Sequence, residues 1–132
     1  MCSSDLEDLA AAVLRRWREN ASAHIDEELG REPDPVRAWR TIIRGTVRSE
    51  THMCPCTVLA ASIQDLPEQV AAEVRGFFKM WEDKMIGRGL SKVEASRLLS
   101  TLIGAMVIAN AFGDSAQYDR ATRDLAVSCK AA

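Results

Sequence analysis

A chain of 132 residues is one domain's worth of protein, long enough to bury a hydrophobic core without disulfide staples. With 47% apolar and 27% charged residues it reads as globular rather than disordered, and its net charge of -2 lacks the basic surplus of a free-standing nucleic-acid-binding domain. Arg or Glu interrupts every long helical pattern, so no run is expected to reach the roughly 20 apolar residues of a membrane span. The N-terminal MCSSDLED is acidic and has no apolar stretch, which does not fit a signal peptide. A cytoplasmic location follows as the expectation, with the four cysteines (Cys2, Cys54, Cys56 and Cys129) as reduced thiols.

The pattern is helical throughout, with no sustained two-residue alternation and no Asn-Gly or Asp-Gly hairpin turn. A first helix is predicted from Ser4, where Ser4-Asp5-Leu6-Glu7 fits a capping box, and it is expected to end at Gly30. Leu6, Leu9, Val13, Trp17, Ala21 and Ile25 form its apolar stripe, and its length is about 40 Å at 1.5 Å per residue. Asp34-Pro35 opens a second helix, with Asp as cap and Pro in the first turn, and Val36, Trp39, Ile43 and Val47 as its buried side. A polar corner follows at 49–52, then a short helix from Pro55 to about Ser62. Asp65-Leu66-Pro67-Glu68 signals a fourth start. That helix carries Val70, Val74, Phe77, Phe78, Trp81 and Met85 and stops at Gly87 or Gly89. Ser91-Lys92-Val93-Glu94 caps a fifth helix, apolar almost all the way round from Leu98 to Ala111, which calls for burial on two sides. Gly113 ends it, and a sixth helix is expected from about Ala116 to Cys129. No repeat, linker or low-complexity tract divides residues 1–132, so they read as a single domain.

Three constellations carry possible chemistry. His52, Cys54 and Cys56 set three borderline or soft ligands within five residues, a candidate metal or thiol-redox site. The simpler reading is two small apolar side chains packed at a helix start, because a structural zinc site shows two ligand pairs and a Cys-x-Cys disulfide is strained. Trp17, His24, Trp39, Phe77, Met80, Trp81 and Met85 are aromatic, Met and His side chains of the kind that line adaptable apolar pockets, although each taken singly is ordinary core. Arg37, Arg40, Arg44 and Arg48 share one helix face, either solvated, paired with Glu27, Glu28 or Glu50, or open to an acidic partner. Enzymatic signals are poor: there is no Ser/His/Asp ordering in strand-turn context, no phosphate-cradling glycine loop and no paired carboxylates at a cleft. No enzyme activity and no cofactor are expected.

The order of these pieces resembles the C-terminal effector-binding and dimerisation domain of TetR/AcrR-type transcriptional regulators. The resemblance covers roughly Ser4 to Val127. It rests on Ser4-Asp5-Leu6-Glu7-Asp8-Leu9 feeding a long helix and on Asp34-Pro35 followed by Trp39. It continues with Cys54-Pro55-Cys56, Leu59-Ala60-Ala61, Leu66-Pro67 and Phe77-Phe78, then Gly104-Ala105-Met106 and Gly113-Asp114. Two departures count: no helix-turn-helix precedes these elements, so DNA binding is not carried over, and Ser62 stands where an acidic residue usually follows Leu-Ala-Ala. The resemblance implies an all-α fold of six helices, dimerising through the fifth and sixth into a four-helix interface. It implies a pocket for a small apolar or amphipathic effector lined by Trp17, His24, Trp39, Ile43, Phe77, Trp81 and Met85. It implies a homodimer interface from Leu98, Leu102, Ala105, Met106, Ala109, Tyr118 and Leu125. The expected partners are a second copy and a small-molecule effector, without direct nucleic acid or membrane binding. The competing expectations are a thiol- or metal-responsive sensor through His52, Cys54 and Cys56, and a stand-alone dimeric scaffold or heterodimer partner.

Overall fold

The computed structural model describes residues 3–50 and 52–126, and these are all-helical, with no strand among them. Six α-helices follow one another: α1 (Ser3–Arg31), α2 (Pro35–Val47), α3 (Pro55–Ala60), α4 (Glu68–Gly87), α5 (Lys92–Phe112) and α6 (Ser115–Thr122), with a single 3-10 turn at Ile63–Asp65. The fold class is the one read from the sequence. Cys2, Cys129 and the proposed cap of Ser4 fall outside the described residues or side chains.

Local chemistry sets most boundaries. Asp34 accepts from the amides of Val36 (3.0 Å) and Arg37 (3.3 Å), and Pro35 supplies the fixed φ of the first turn, so α2 starts as expected. Ser91 and Glu94 form the full capping box of α5, each side chain accepting from the other's amide at 3.1 and 2.9 Å. Gly113 closes α5 in the left-handed region at φ 63, which a side chain would strain. Other boundaries differ from expectation. Gly30 stays helical and α1 runs one residue further, because Pro33 disfavours helix at Glu32 and the Arg88 guanidinium takes the loose carbonyls, donating to Leu29 O (2.5 Å) and Glu32 O (3.2 Å). Asp65 is not the cap of α4; it closes the 3-10 turn, and Pro67 precedes the helix with no side-chain cap.

α5 is the central helix and packs against α2, α4 and α6, while α1 lies along α4 and α2. Leu102 and Met106 of α5 are fully buried, with Ala95, Leu98, Ala105 and Ala109 beside them. Arg97 is the only charge between Glu94 and Asp114, so by length and composition α5 passes as a membrane-crossing segment, contrary to the sequence expectation. Its burial among three other helices accounts for the same composition in a packed core.

The stripe expected to bury α1 is corrected. Leu6, Leu9, Val13 and Trp17 are exposed, at 67, 60, 58 and 41%, and Ala11, Leu14 and Leu29 are buried in their place; of the expected stripe Ile25 is buried and Ala21 partly so. The N-terminal half of α1 carries two apolar faces, and the turn of α4 against it covers only the second.

α6 is shorter than expected and is held to α2 by polar contacts. Tyr118 is fully buried and its hydroxyl donates to Arg40 O at 2.7 Å, and burial pushes its phenol well above the ordinary value. Arg40 Nε donates to Thr122 Oγ1 (2.9 Å), and Arg44 and Arg48 both reach the Asp119 carboxylate (2.9 and 3.1 Å). Three of the four stripe arginines thus anchor α6 rather than facing solvent or the nearby glutamates.

Two stability outcomes follow. Tyr118→Phe removes the hydroxyl that adds a second hydrogen bond to the Arg40 carbonyl, and urea unfolding is expected to show a loss of about 1 kcal/mol with unchanged helical circular dichroism. Trp81→Ala empties the middle of the core and is expected to cost about 3–5 kcal/mol in the same assay.

Candidate functional site

An aromatic cluster occupies the space between α2 and α4. Trp39 and Ile43 come from α2, four residues apart and hence on one face; Phe77, Trp81 and Met85 repeat at the same spacing on α4. All five are buried at 5% exposure or less. The Trp39 and Trp81 ring centroids lie 5.7 Å apart at 60°, and Phe77 meets Trp81 at 4.9 Å and 52°. Half-buried Phe78 stands edge-on to both Phe77 (5.8 Å) and Trp81 (5.9 Å). The structure therefore brings together five of the seven residues expected at a pocket, packed against one another. Trp17 and His24 do not join them: both lie on exposed faces of α1.

The cluster contains an unresolved polar demand. The indole nitrogens of Trp39 and Trp81 are both buried and have no hydrogen-bond partner. A buried indole N–H nearly always finds an acceptor, and one left alone costs about 1–3 kcal/mol. Two such donors sit in one apolar cluster. Sequence reasoning named both tryptophans but not this feature, since an unmet donor has no sequence signature.

Two apolar depressions lie nearby. One, of about 290 Å³, is lined by Ala60, Ile63, Val74, Phe78 and Leu99 together with the stems of Arg75, Lys79 and Glu82. Phe78 lines it and also stands edge-on to Trp81. The other, of about 570 Å³, is an open groove between the N-terminal half of α1 and the α3–α4 region, lined by Leu6, Leu9, Val13, Leu59, Leu66 and Val70. Leu6, Leu9 and Val13, exposed on α1, are therefore one wall of an apolar groove.

The residues expected at an interface between copies are placed differently from the sequence reading. Leu98, Leu102, Ala105, Met106, Ala109 and Tyr118 are buried within the chain's own core, and Leu125 is half-buried. The apolar side of α5 that remains open is the opposite one, carrying Val107 (41% exposed), Ile108 (46%) and Phe112 (69%). An all-round apolar helix hides which of its faces its own chain will cover.

His52 is separate from the thiols it precedes. It is exposed, sits in the left-handed region at φ 58, and its Nδ1 lies 3.1 Å from Val47 O. Cys54 and Cys56 are buried and free. Among the described residues, no group of three or more His, Cys, Asp or Glu side chains is placed to hold a metal ion.

No protein-family model matches the sequence, and no curated protein matches it. Among solved structures, the chain is similar to a transcriptional regulator of the TetR family from Agrobacterium tumefaciens. The two are 32% identical with a TM-score of 0.77, over 89% of this chain and 70% of that one. The six-helix order, the central apolar α5 and the aromatic α2–α4 pairing thus stand on a backbone shared with that protein, and the chain belongs to the TetR family.

Proposed function

We propose that this chain is the effector-sensing and dimerisation part of a TetR-type transcriptional regulator, acting in the cytoplasm without catalysis and without direct contact to DNA. The effector is a small apolar or amphipathic molecule that enters the aromatic cluster of Trp39, Ile43, Phe77, Trp81 and Met85. The observation that carries this reading is the pair of buried, unpartnered indole N–H groups of Trp39 and Trp81. An otherwise apolar site with two unmet donors suits a ligand with an apolar body and an acceptor oxygen or nitrogen. Phe78 is the side chain we take an entering ligand to turn aside, because it both lines the cleft by Leu99 and touches Trp81.

The second half of the proposal is a homodimer through the outer face of α5. Val107, Ile108 and Phe112 leave a contiguous apolar patch on the helix whose other face completes the core, and a two-fold axis pairs that patch with itself. The likeness to the Agrobacterium protein supports the regulator role. In the family, ligand binding tilts the long helix that corresponds to α1 and moves the DNA-reading heads. The net charge of -2 supports the absence of DNA contact by this segment itself.

Native mass spectrometry of the reduced protein, from gentle to harsh activation, tests both halves. A dimer carrying extra organic mass is the expected result; a bare dimer removes the effector half, and a bare monomer removes the dimer half. Trp81→Phe keeps the ring packing and deletes one donor, so it is expected to lose the organic adduct while keeping its fold by circular dichroism. Ile108→Glu with Phe112→Glu places two charges on the α5 patch. Analytical ultracentrifugation is expected to show dimer dissociation weakened by roughly 100-fold or more, with the helical signal intact.

A further inference from the structure

The groove between the N-terminal half of α1 and the α3–α4 region is used neither by the aromatic cluster nor by the α5 patch. Leu6, Leu9 and Val13 stand on it at 58% exposure or more, three and four residues apart, and exposed Trp17 extends the same stripe. From Leu6 to Trp17 the stripe runs about three turns, roughly 17 Å at 1.5 Å per residue. Leu59, Leu66 and Val70 form the facing wall.

The charge around this groove is of one sign. Among the described lining residues Glu7 is the only polar one, and it is half-buried. Asp5 stands one turn before Leu9 on α1, and Asp65 immediately precedes Leu66; both are exposed. None of these three carboxylates meets a hydrogen-bond donor or a cation among the described residues. The cations that follow are committed elsewhere: Arg15 and Arg18 to Glu73, and Arg75 to Glu68, while Arg16 lies outside the lining. A half-buried carboxylate in apolar surroundings is costly without a partner. Glu7 therefore sits where an incoming cation gains most.

We propose that this groove docks a basic amphipathic helix of a partner protein. Its apolar stripe seats on Leu6, Leu9, Val13 and Leu66, and its Lys or Arg side chains reach Glu7, Asp5 and Asp65. The spacing of the α1 stripe selects a helix, because side chains three and four residues apart form the ridges that a second helix interdigitates with. The carboxylates select the basic flank and fix which way the helix lies. A small molecule suits the groove poorly: the trough is open along its length and offers one polar side chain, where an orienting site needs several converging groups. The open face of α5 does not supply the complement from a second copy either, since Arg97 is the only cation between Glu94 and Asp114.

The test uses the full chain and two fluorescein-labelled model helices of roughly 18 residues, one of leucine and lysine, the other of leucine and glutamate, with leucine at the same amphipathic positions. Fluorescence anisotropy at low salt is expected to show the lysine helix bound at least roughly tenfold more tightly than the glutamate helix, with the preference shrinking as sodium chloride is raised. Glu7→Lys with Asp65→Lys is expected to abolish that preference, and Leu9→Ser with Val13→Ser to weaken the lysine helix by roughly tenfold or more, both with unchanged circular dichroism. Ile108→Ser with Phe112→Ser, which removes the α5 patch, is expected to leave the preference as it was. The proposal is overturned if neither helix binds, if both bind alike, or if the preference survives the charge reversal at Glu7 and Asp65. It is also overturned if Leu9→Ser with Val13→Ser dissociates a dimer in analytical ultracentrifugation, which gives the groove to a second copy. No readout depends on effector mass or on the α5 patch, so this reading and the regulator reading fail separately.

Discussion

Trp81 is the side chain on which the middle of this fold depends. It touches Trp39 from α2, Phe77 one turn earlier on its own helix and half-buried Phe78 beside it. No polar contact ties α2 to α4 at this level; the helices are held by aromatic area and by offset ring geometry, where such pairs add about 0.5–1.5 kcal/mol beyond burial. The same cluster leaves two indole donors unmet, which is a standing cost in the fold. Under the proposed function, stability and ligand recognition would compete for one set of residues. A molecule that satisfies the donors must also displace some of the ring contacts, and the balance of those two effects sets how tightly it binds.

A different chemistry holds the other side of α2. Its apolar face makes the core through Val36, Ile42, Ile43 and Val47, and its arginine face makes α6 a fixture of the fold. Arg40, Arg44 and Arg48 recur at about one turn, so all three reach α6, where Thr122 and Asp119 are three residues apart and meet them in register. Arg44 and Arg48 share the single carboxylate of Asp119, and both arginines are about half exposed, so each ion pair is worth at most about 1 kcal/mol. The buried Tyr118 hydroxyl on the Arg40 carbonyl is the more secure of the α2–α6 ties, since water does not compete for it.

Much of this was legible in the sequence where a boundary has its own chemistry. Asp34-Pro35, the Ser91/Glu94 box and Gly113 each act within a few residues, so reading them locally is enough. The Val70–Val74–Phe77–Trp81–Met85 spacing likewise gave the buried side of α4. What was not legible is which of two apolar faces a helix turns inward. In α1 the expected stripe holds at Ala21 and Ile25 but not at Leu6, Leu9, Val13 and Trp17, where Ala11 and Leu14 face the core instead, and periodicity alone favours the bulkier set. In α5 the surface is apolar all round, so Leu102 and Val107 look equivalent until α2, α4 and α6 are in place. Gly30 was misread for a related reason: the helix end is decided by Pro33 and by Arg88, fifty-eight residues further on than Gly30, and no local pattern carries that contact.

These misreadings point to the surfaces that matter. Two apolar surfaces stay open: the groove wall of Leu6, Leu9 and Val13, which the sequence reading placed in the core, and the side of α5 carrying Val107, Ile108 and Phe112. A chain optimised only for its own core would carry polar residues at these positions, because exposed Leu, Val and Phe add nothing to a monomer and invite association. The two surfaces lie on different helices, and α4 connects them, packing on α1 with one side and on α5 with another. α4 also carries Trp81 and, at Glu73, the ion pair to Arg18 of α1. A shift of α4 by even part of a side chain's width is felt at the groove, at the aromatic cluster and at the central helix together, since close-packed helices do not deform independently. Rigid transmission through one helix links the aromatic cluster, the groove and the open side of α5 in one packed unit.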